Sequence, residues 1–208
     1  MPLNPVNPVN PSQSKSIQLN SILFPVSHHS IMSPIAVDAI DQHHNPHQHH
    51  DHGHDHVPTH PTLLQVHRSP KAFSSWAISQ TSLPAGAVFA KITSATPGPK
   101  AYTSVQTGRD SHIELNSDLV FINHSCDPSL VFDMHAMEVR VVDHRPLSKG
   151  DVLTFFYPST EWEMAQPFEC VCGAAAGVCK RWIRGAKDMS SQELQGYWLN
   201  PHIVEMKS

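Results

Sequence analysis

The stretch Phe121–Pro128, which reads FINHSCDP, contains one of only four cysteines in the chain, Cys126. The other three lie close together further along the chain, as Cys170, Cys172 and Cys179. A C-x-C pair with a third cysteine nearby, joined by one from a distant segment, is typical of a tetrahedral zinc site. The sequence therefore predicts that the four thiolates share one zinc ion, which would tie the end of the chain to its core.

Two other interpretations of the cysteines stay open at this point. They could form two disulfides, although thiols of proteins without a secretion signal more often stay reduced or bind metal. They could also be unrelated buried thiols, although C-x-C is an awkward core pattern and a natural chelate.

Length, composition and charge limit the classes of protein to which this chain can belong. The 208 residues suit one domain of ordinary size with additional segments, and a hydrophobic fraction of 39% is low for a chain that folds throughout. No stretch of about 18 apolar residues occurs, and the first residues do not resemble a secretion signal. We therefore expect a soluble intracellular protein of the nucleus or the cytoplasm, without a membrane partner. The formal charge of -4 gives no reason to expect direct binding to nucleic acid.

Residues 1–61 differ in amino-acid composition from the rest of the chain. They hold nine of the eighteen prolines, four acidic residues and a single basic one, Lys15. Such a segment buries too little apolar surface to offset its ordering entropy, so we predict a disordered tail. Residues 43–60 contain nine histidines, which can bind zinc, nickel or copper but impose no fixed geometry. Metal handling by this run is one alternative function.

Short β-branched or aromatic runs bounded by turn residues begin near Thr62. They predict strands at residues 87–92, 118–123, 137–142 and 152–157. Together they indicate a mainly β domain of several small sheets with long connections. Only residues 190–199 look helical, with Ser190 or Ser191 as the cap.

Three motif blocks in order carry a family resemblance. Residues 123–128 (NHSCDP), residues 150–157 (GDVLTFFY) and the C-terminal cysteine cluster resemble the signature of SET-domain protein-lysine methyltransferases with a post-SET zinc segment. The resemblance spans roughly Lys71 to Lys187. It implies a SET domain at residues 62–166 with a threaded, pseudoknot-like C-terminal segment. It also implies a post-SET zinc segment at residues 167–187, and a short helix and tail at residues 188–208.

The same resemblance implies the activity and the site. The expected reaction transfers a methyl group from S-adenosylmethionine to a lysine side chain of a protein, such as a histone. Tyr157 matches the catalytic tyrosine, and Asn123 and His124 match positions that contact the cofactor. The remaining expected cofactor contacts are Ser75, Trp76, Phe168 and Tyr157 itself.

Methyl transfer to an amine is an in-line displacement, so the protein mainly aligns the reacting atoms. The amine must be neutral, and a narrow apolar channel lowers its pKa by desolvation. Phe155, Phe156, Trp162 and Phe168 are candidates to line this channel. A tyrosine hydroxyl at the reaction centre can orient the amine while it stays protonated.

The sequence departs from the family pattern in the expected cofactor loop. Residues 73–76 read FSSW, where family members usually have Gly-x-Gly. This departure favours a second hypothesis, a catalytically silent SET-like scaffold that recruits partners. A further departure is Phe156, which stands before the tyrosine where an acidic or polar residue is usual and which could narrow the lysine channel.

Overall fold

The computed structural model describes residues 57–208. Of the tail that was predicted to be disordered, residues 1–56 lie outside this range, whereas residues 57–61 lie within it, and Thr59 there is hydrogen-bonded to Asp118. Twelve strands and two short helices occur in the described part. The strands are β1 Leu64–His67, β2 Trp76–Ser79, β3 Val88–Lys91, β4 Thr96–Gly98, β5 Val105–Gln106, β6 His112–Glu114, β7 Asn123–His124, β8 Leu130–Asp133, β9 Glu138–Val141, β10 Thr154–Phe155, β11 Phe168–Glu169 and β12 Trp182–Ile183. The helices are α1 Ser191–Leu194 and α2 Pro201–Lys207.

Four small sheets are present among residues 57–208. The largest has the strand order β3-β9-β8-β10-β7, a second has the order β4-β6-β5, and the hairpins β1-β2 and β11-β12 form the other two. The prediction of a mainly β fold with several small sheets is confirmed. Neither helix of this part of the chain is long and apolar enough to cross a membrane.

Strand β10 lies between β7 and β8 and is parallel to both. Thr154 pairs with Asn123, and Phe155 pairs with His124. This register brings the NHSCDP segment beside the residues that precede Tyr157, although 29 residues separate β7 from β10 along the chain. The pairing is consistent with a SET architecture, whose threaded C-terminal segment stays a prediction.

Two predicted strands are shorter than expected. In the run 118–123, Asp118–Phe121 forms a 3-10 turn and only its last residue enters β7. Asp118 exchanges two hydrogen bonds with Thr59, which fixes the start of this turn in a way that local sequence does not reveal. The run 152–157 is extended in β10 only, and Tyr157 begins a 3-10 turn. Pro158 has no N–H to donate to a strand ladder.

The C-terminal segment packs onto the domain through its own apolar cluster. Phe156 is buried there with Leu194 and Ile203, which come from the two helices. As predicted, Ser190 caps α1, and its side chain and that of Glu193 form a reciprocal capping box. The helix ends at Leu194, however, and the sequence analysis did not anticipate α2.

Candidate active site and metal centre

The four cysteines converge at one place. Their Sγ atoms all lie within 4.8 Å of one another, and those of Cys126 and Cys170 are 3.9 Å apart. Four sulfurs around a zinc ion at about 2.3 Å lie about 3.8 Å apart, so a small contraction would complete a tetrahedral site. The convergence excludes four unrelated thiols, and the donor set fits zinc.

The thiols interact strongly with one another. Hydrogen bonds from the thiols of Cys126 and Cys170 lower the pKa of Cys172, whereas hydrogen bonds with Cys126 and Cys172 raise the pKa of Cys170. Among these three thiols, the arrangement therefore favours Cys172 as the thiolate as long as no cation is bound. A divalent ion would stabilise all four thiolates, which is why such a site couples metal binding to folding.

His124 lies between the cysteine cluster and Tyr157. Its Nδ1 accepts a hydrogen bond from the backbone N–H of Tyr157 (3.2 Å), and its Nε2 is 3.3 Å from Cys126 Sγ. Burial lowers the pKa of His124 to about 3, so the ring is neutral. With Nδ1 as the acceptor, Nε2 carries the proton and donates it to the sulfur. One imidazole thus joins the metal centre to the backbone of the tyrosine.

Three aromatic rings meet at the same point. The His124 ring centroid is 5.3 Å from that of Tyr157 and 5.6 Å from that of Phe168, in edge-to-face arrangements. The Tyr157 and Phe168 centroids are 6.0 Å apart. Phe168 begins the hairpin that carries the C-terminal cysteines, so this hairpin and the tyrosine are in direct contact.

Asn123 has a buried amide with an unused acceptor. Its Nδ2 donates to the backbone oxygen of Ser75 (2.8 Å), but its Oδ1 has no hydrogen-bond partner among the described residues. A buried acceptor without a partner costs about 1–3 kcal/mol. A ligand that donates a hydrogen bond at this point, such as an ammonium group, would remove that cost. The geometry therefore fits a cofactor that carries an amino group.

The loop before β2 has an unusual backbone at Phe73, whose φ is 60°. This left-handed conformation suits glycine and costs other residues roughly 1 kcal/mol. The chain thus lacks the expected glycine but keeps a backbone that glycine would favour. Trp76, by contrast, stacks on His67 of the neighbouring strand (4.9 Å between centroids), and no described contact joins it to His124 or Tyr157.

A narrow cavity of about 30 Å³ opens beside Tyr157. Apolar side chains from several segments form most of its wall, and Phe155 is among them, as predicted for the channel. One ionisable acid also lines it, Glu161, which the sequence analysis missed. The only available signal was its position four residues after Tyr157, one turn further along the chain.

Comparison with known proteins identifies the family. The chain is 56% identical over 150 residues to Methyltransferase flvH of Aspergillus flavus, and the aligned region covers 72% of this chain and 83% of that protein. The chain belongs to this methyltransferase family. No protein-family model matches it.

Two aromatic residues expected at the channel of this methyltransferase lie elsewhere. The Phe156 ring stacks on Tyr197 with 3.7 Å between centroids, within the C-terminal apolar cluster. Trp162 packs against the same cluster, and Lys207 Nζ lies over its ring, 5.4 Å from the centroid. Neither lines the cavity beside Tyr157. Phe168, which was also expected there, contacts the Tyr157 ring but does not line the cavity. Alternate residues of β10 and its continuation point to opposite sides, so Phe155 and Tyr157 face the cavity whereas Phe156 does not.

Proposed function

We propose that this chain is a SET-type methyltransferase that uses S-adenosylmethionine to methylate a lysine side chain of a protein. One observation carries the proposal: His124 contacts both the backbone N–H of Tyr157 and the sulfur of Cys126. His124 and Cys126 belong to the first motif block and Tyr157 ends the second, while the sulfur of Cys170, in the third, lies 3.9 Å from that of Cys126. The three blocks that resemble the SET signature therefore meet around His124 and Cys126. The family membership described above supports methyl transfer as the reaction.

The cofactor would lie against the aromatic contact of His124 and Phe168. Asn123 Oδ1 would accept a hydrogen bond from its amino group, and Ser75, whose backbone oxygen Asn123 binds, would border it. We propose Trp76 as a further contact through the same loop. Bound there, S-adenosylmethionine would supply an electrophilic methyl group on a positive sulfur.

The residues around Tyr157 would align and desolvate the acceptor amine. The cavity is narrow and mostly apolar, so it excludes water and disfavours a charged amine. The Tyr157 hydroxyl, 3.5 Å from the carbonyl oxygen of Ile122, would orient the amine lone pair while it stays protonated. Zinc at the four cysteines would hold the β11-β12 hairpin, and with it Phe168, against this site.

The decisive experiment measures transfer of a labelled methyl group from S-adenosylmethionine to a panel of lysine-containing proteins, histones among them. We expect Tyr157→Phe to reduce the rate at least 100-fold, in the range typical of an acid-base or orienting group, without loss of fold. Tyr197→Phe removes a hydroxyl from a tyrosine outside the cavity and should retain most of the rate. Absence of labelling with every acceptor, together with absence of cofactor binding by calorimetry, would refute the proposal.

A catalytically silent scaffold is the second candidate, and the side chains of the cofactor loop favour it. Ser75 Oγ accepts a hydrogen bond from the backbone of Ser69, so it occupies space that a glycine would leave open. Cofactor binding without turnover would support this candidate. A rate that depends on Tyr157 would exclude it.

A further inference from the structure

Glu161 is the only charged residue that lines the cavity beside Tyr157, within the part of the chain that the structure describes. Its backbone N–H donates to the carbonyl oxygen of Tyr157 (3.0 Å), so the two residues follow each other on one turn and face the same space. Ala165 and the segment 101–103 form the more exposed side of the cavity. A molecule that enters from that side would meet the carboxylate and the tyrosine together.

One oxygen of the Glu161 carboxylate is fixed by the protein and the other is not. Oε1 accepts hydrogen bonds from the backbone N–H of Gln106 (2.8 Å) and the hydroxyl of Thr160 (3.2 Å). Oε2 makes no hydrogen bond within residues 57–208, and its nearest basic neighbour is His112 Nε2 at 3.9 Å. That nitrogen is itself buried without a hydrogen bond. The fixed oxygen orients the group, and the second is left for a ligand.

A purely structural role does not explain a carboxylate at this position. Glutamine has the same shape, and its oxygen would accept the same two hydrogen bonds without a buried charge. The residue is only 7% exposed, and burial raises the pKa of Glu161 to about 7. The charged or titratable groups that act on it are His112 on β6 and Lys100, and His202 on α2 acts in turn on His112. None of these neutralises Oε2 by direct contact.

We propose that Glu161 recognises the acceptor as a cationic alkylamine, and this inference rests on the proposed function. The Oε2 atom binds the ammonium group as it enters the cavity. It then takes one proton: the N–H bond breaks, an O–H bond forms, and the ammonium and carboxylate become a neutral amine and a carboxylic acid. The nitrogen lone pair is then free beside Tyr157. Hydroxyl acceptors gain no ion pair from this arrangement, and carboxylate acceptors are repelled.

The test compares Glu161→Gln with Glu163→Gln on the acceptors that the wild-type protein labels. Glu163 is an exposed acid two residues away whose partners are Lys100 and Lys187, so it controls for loss of one negative charge. At neutral pH we expect Glu161→Gln to lower kcat/KM at least about tenfold, because a charge-assisted hydrogen bond and a proton acceptor are lost. Glu163→Gln should behave as the wild type.

The pH profile separates this role from a structural one. The defect of Glu161→Gln should shrink as the pH rises to and above about 10.4, the reference pKa of a lysine amine, because the free amine is then mostly neutral and needs no proton acceptor. Glu161→Asp keeps the charge and should keep the wild-type shape of the profile at a lower rate. Cofactor binding and circular dichroism of all variants verify that the site is folded.

Binding of n-butylamine and 1-butanol, followed by NMR, gives a readout without turnover. We expect the amine to perturb residues of the cavity in the wild type, with the alcohol weaker, and this difference to vanish in Glu161→Gln. Equal rates for Glu161→Gln and wild type at every pH would overturn the inference and leave the proposed function standing. Failure of the wild type to label any amine would overturn both.

Discussion

At the residue scale, His124 does more than its motif position implies. The resemblance assigns it to the cofactor, largely through its backbone, but the structure gives its side chain two further contacts. The neutral ring accepts from the Tyr157 backbone and donates to Cys126 Sγ. A hydrogen bond to the sulfur of a metal ligand orients that ligand and changes the metal affinity. The side chain therefore positions two functional groups at once.

We predict that His124→Asn weakens zinc binding about 10- to 100-fold, because asparagine cannot reach both Tyr157 and the sulfur. Competition with a chromogenic chelator measures the change. The matched control is His202→Asn, since His202 is also buried but its Nε2 contacts the carbonyl oxygen of Thr160 instead of a cysteine. This control should lower stability and leave zinc affinity unchanged. Equal zinc affinities for wild type and His124→Asn would contradict the prediction.

At the element scale, Asn200 joins the C-terminal segment to the domain. Its Nδ2 donates to the carbonyl oxygens of Phe132 and Ser159, and its Oδ1 accepts from the N–H of Met134. The side chain is fully buried and stands just before α2. One side-chain amide thus forms hydrogen bonds with three backbone groups from two different segments.

We predict that Asn200→Ala lowers the free energy of unfolding by about 3 kcal/mol, roughly 1 kcal/mol for each lost hydrogen bond. Urea denaturation measures this change. Ser190→Ala provides the comparison at an exposed position, because it breaks only the capping box of α1 and should cost about 1 kcal/mol. A cost for Asn200→Ala no larger than that of Ser190→Ala would show that the segment is held by its apolar contacts alone.

At the scale of the whole molecule, the cysteine cluster joins distant parts of the chain. Cys126 follows β7 of the five-stranded sheet, whereas the other three lie in the β11-β12 hairpin, which also carries Phe168. Loss of metal would leave the four thiols crowded together without the ion that joins the two segments. The hairpin and its contact with Tyr157 should loosen first.

We predict about one zinc ion per chain, and faster amide hydrogen exchange in residues 168–183 after chelation, with β8 and β9 still protected. Elemental analysis and exchange mass spectrometry measure the two quantities. Cys170→Ser should lose the ion, whereas Val171→Ser, at the exposed position between two cysteines, should retain it. Full zinc content in Cys170→Ser would contradict a site of four thiolates.

The sequence alone predicted the convergence of the four cysteines, because that prediction depends on residue types and on short spacings. Cys170 and Cys172 can only be close, and the order of the three motif blocks pointed to Cys126, Asn123 and Tyr157. The mainly β class and the Ser190 cap could also be predicted, because they depend on residues that are close together in the sequence. The assigned cofactor and catalytic roles of these residues stay predictions for the experiments above.

Only the tertiary structure shows which distant segments of the chain contact one another. Because β10 pairs in parallel with β7, the side chain of Phe155 lines the cavity and that of Phe156 does not. Strands β5 and β6 pack against the turn after Tyr157, so the carboxylate of Glu161 is buried beside His112. No sequence motif identifies Glu161. Residue identity determines which groups are available for chemistry. Their distances, burial and pKa values depend on contacts between segments far apart in the chain, and those exist only in the folded protein.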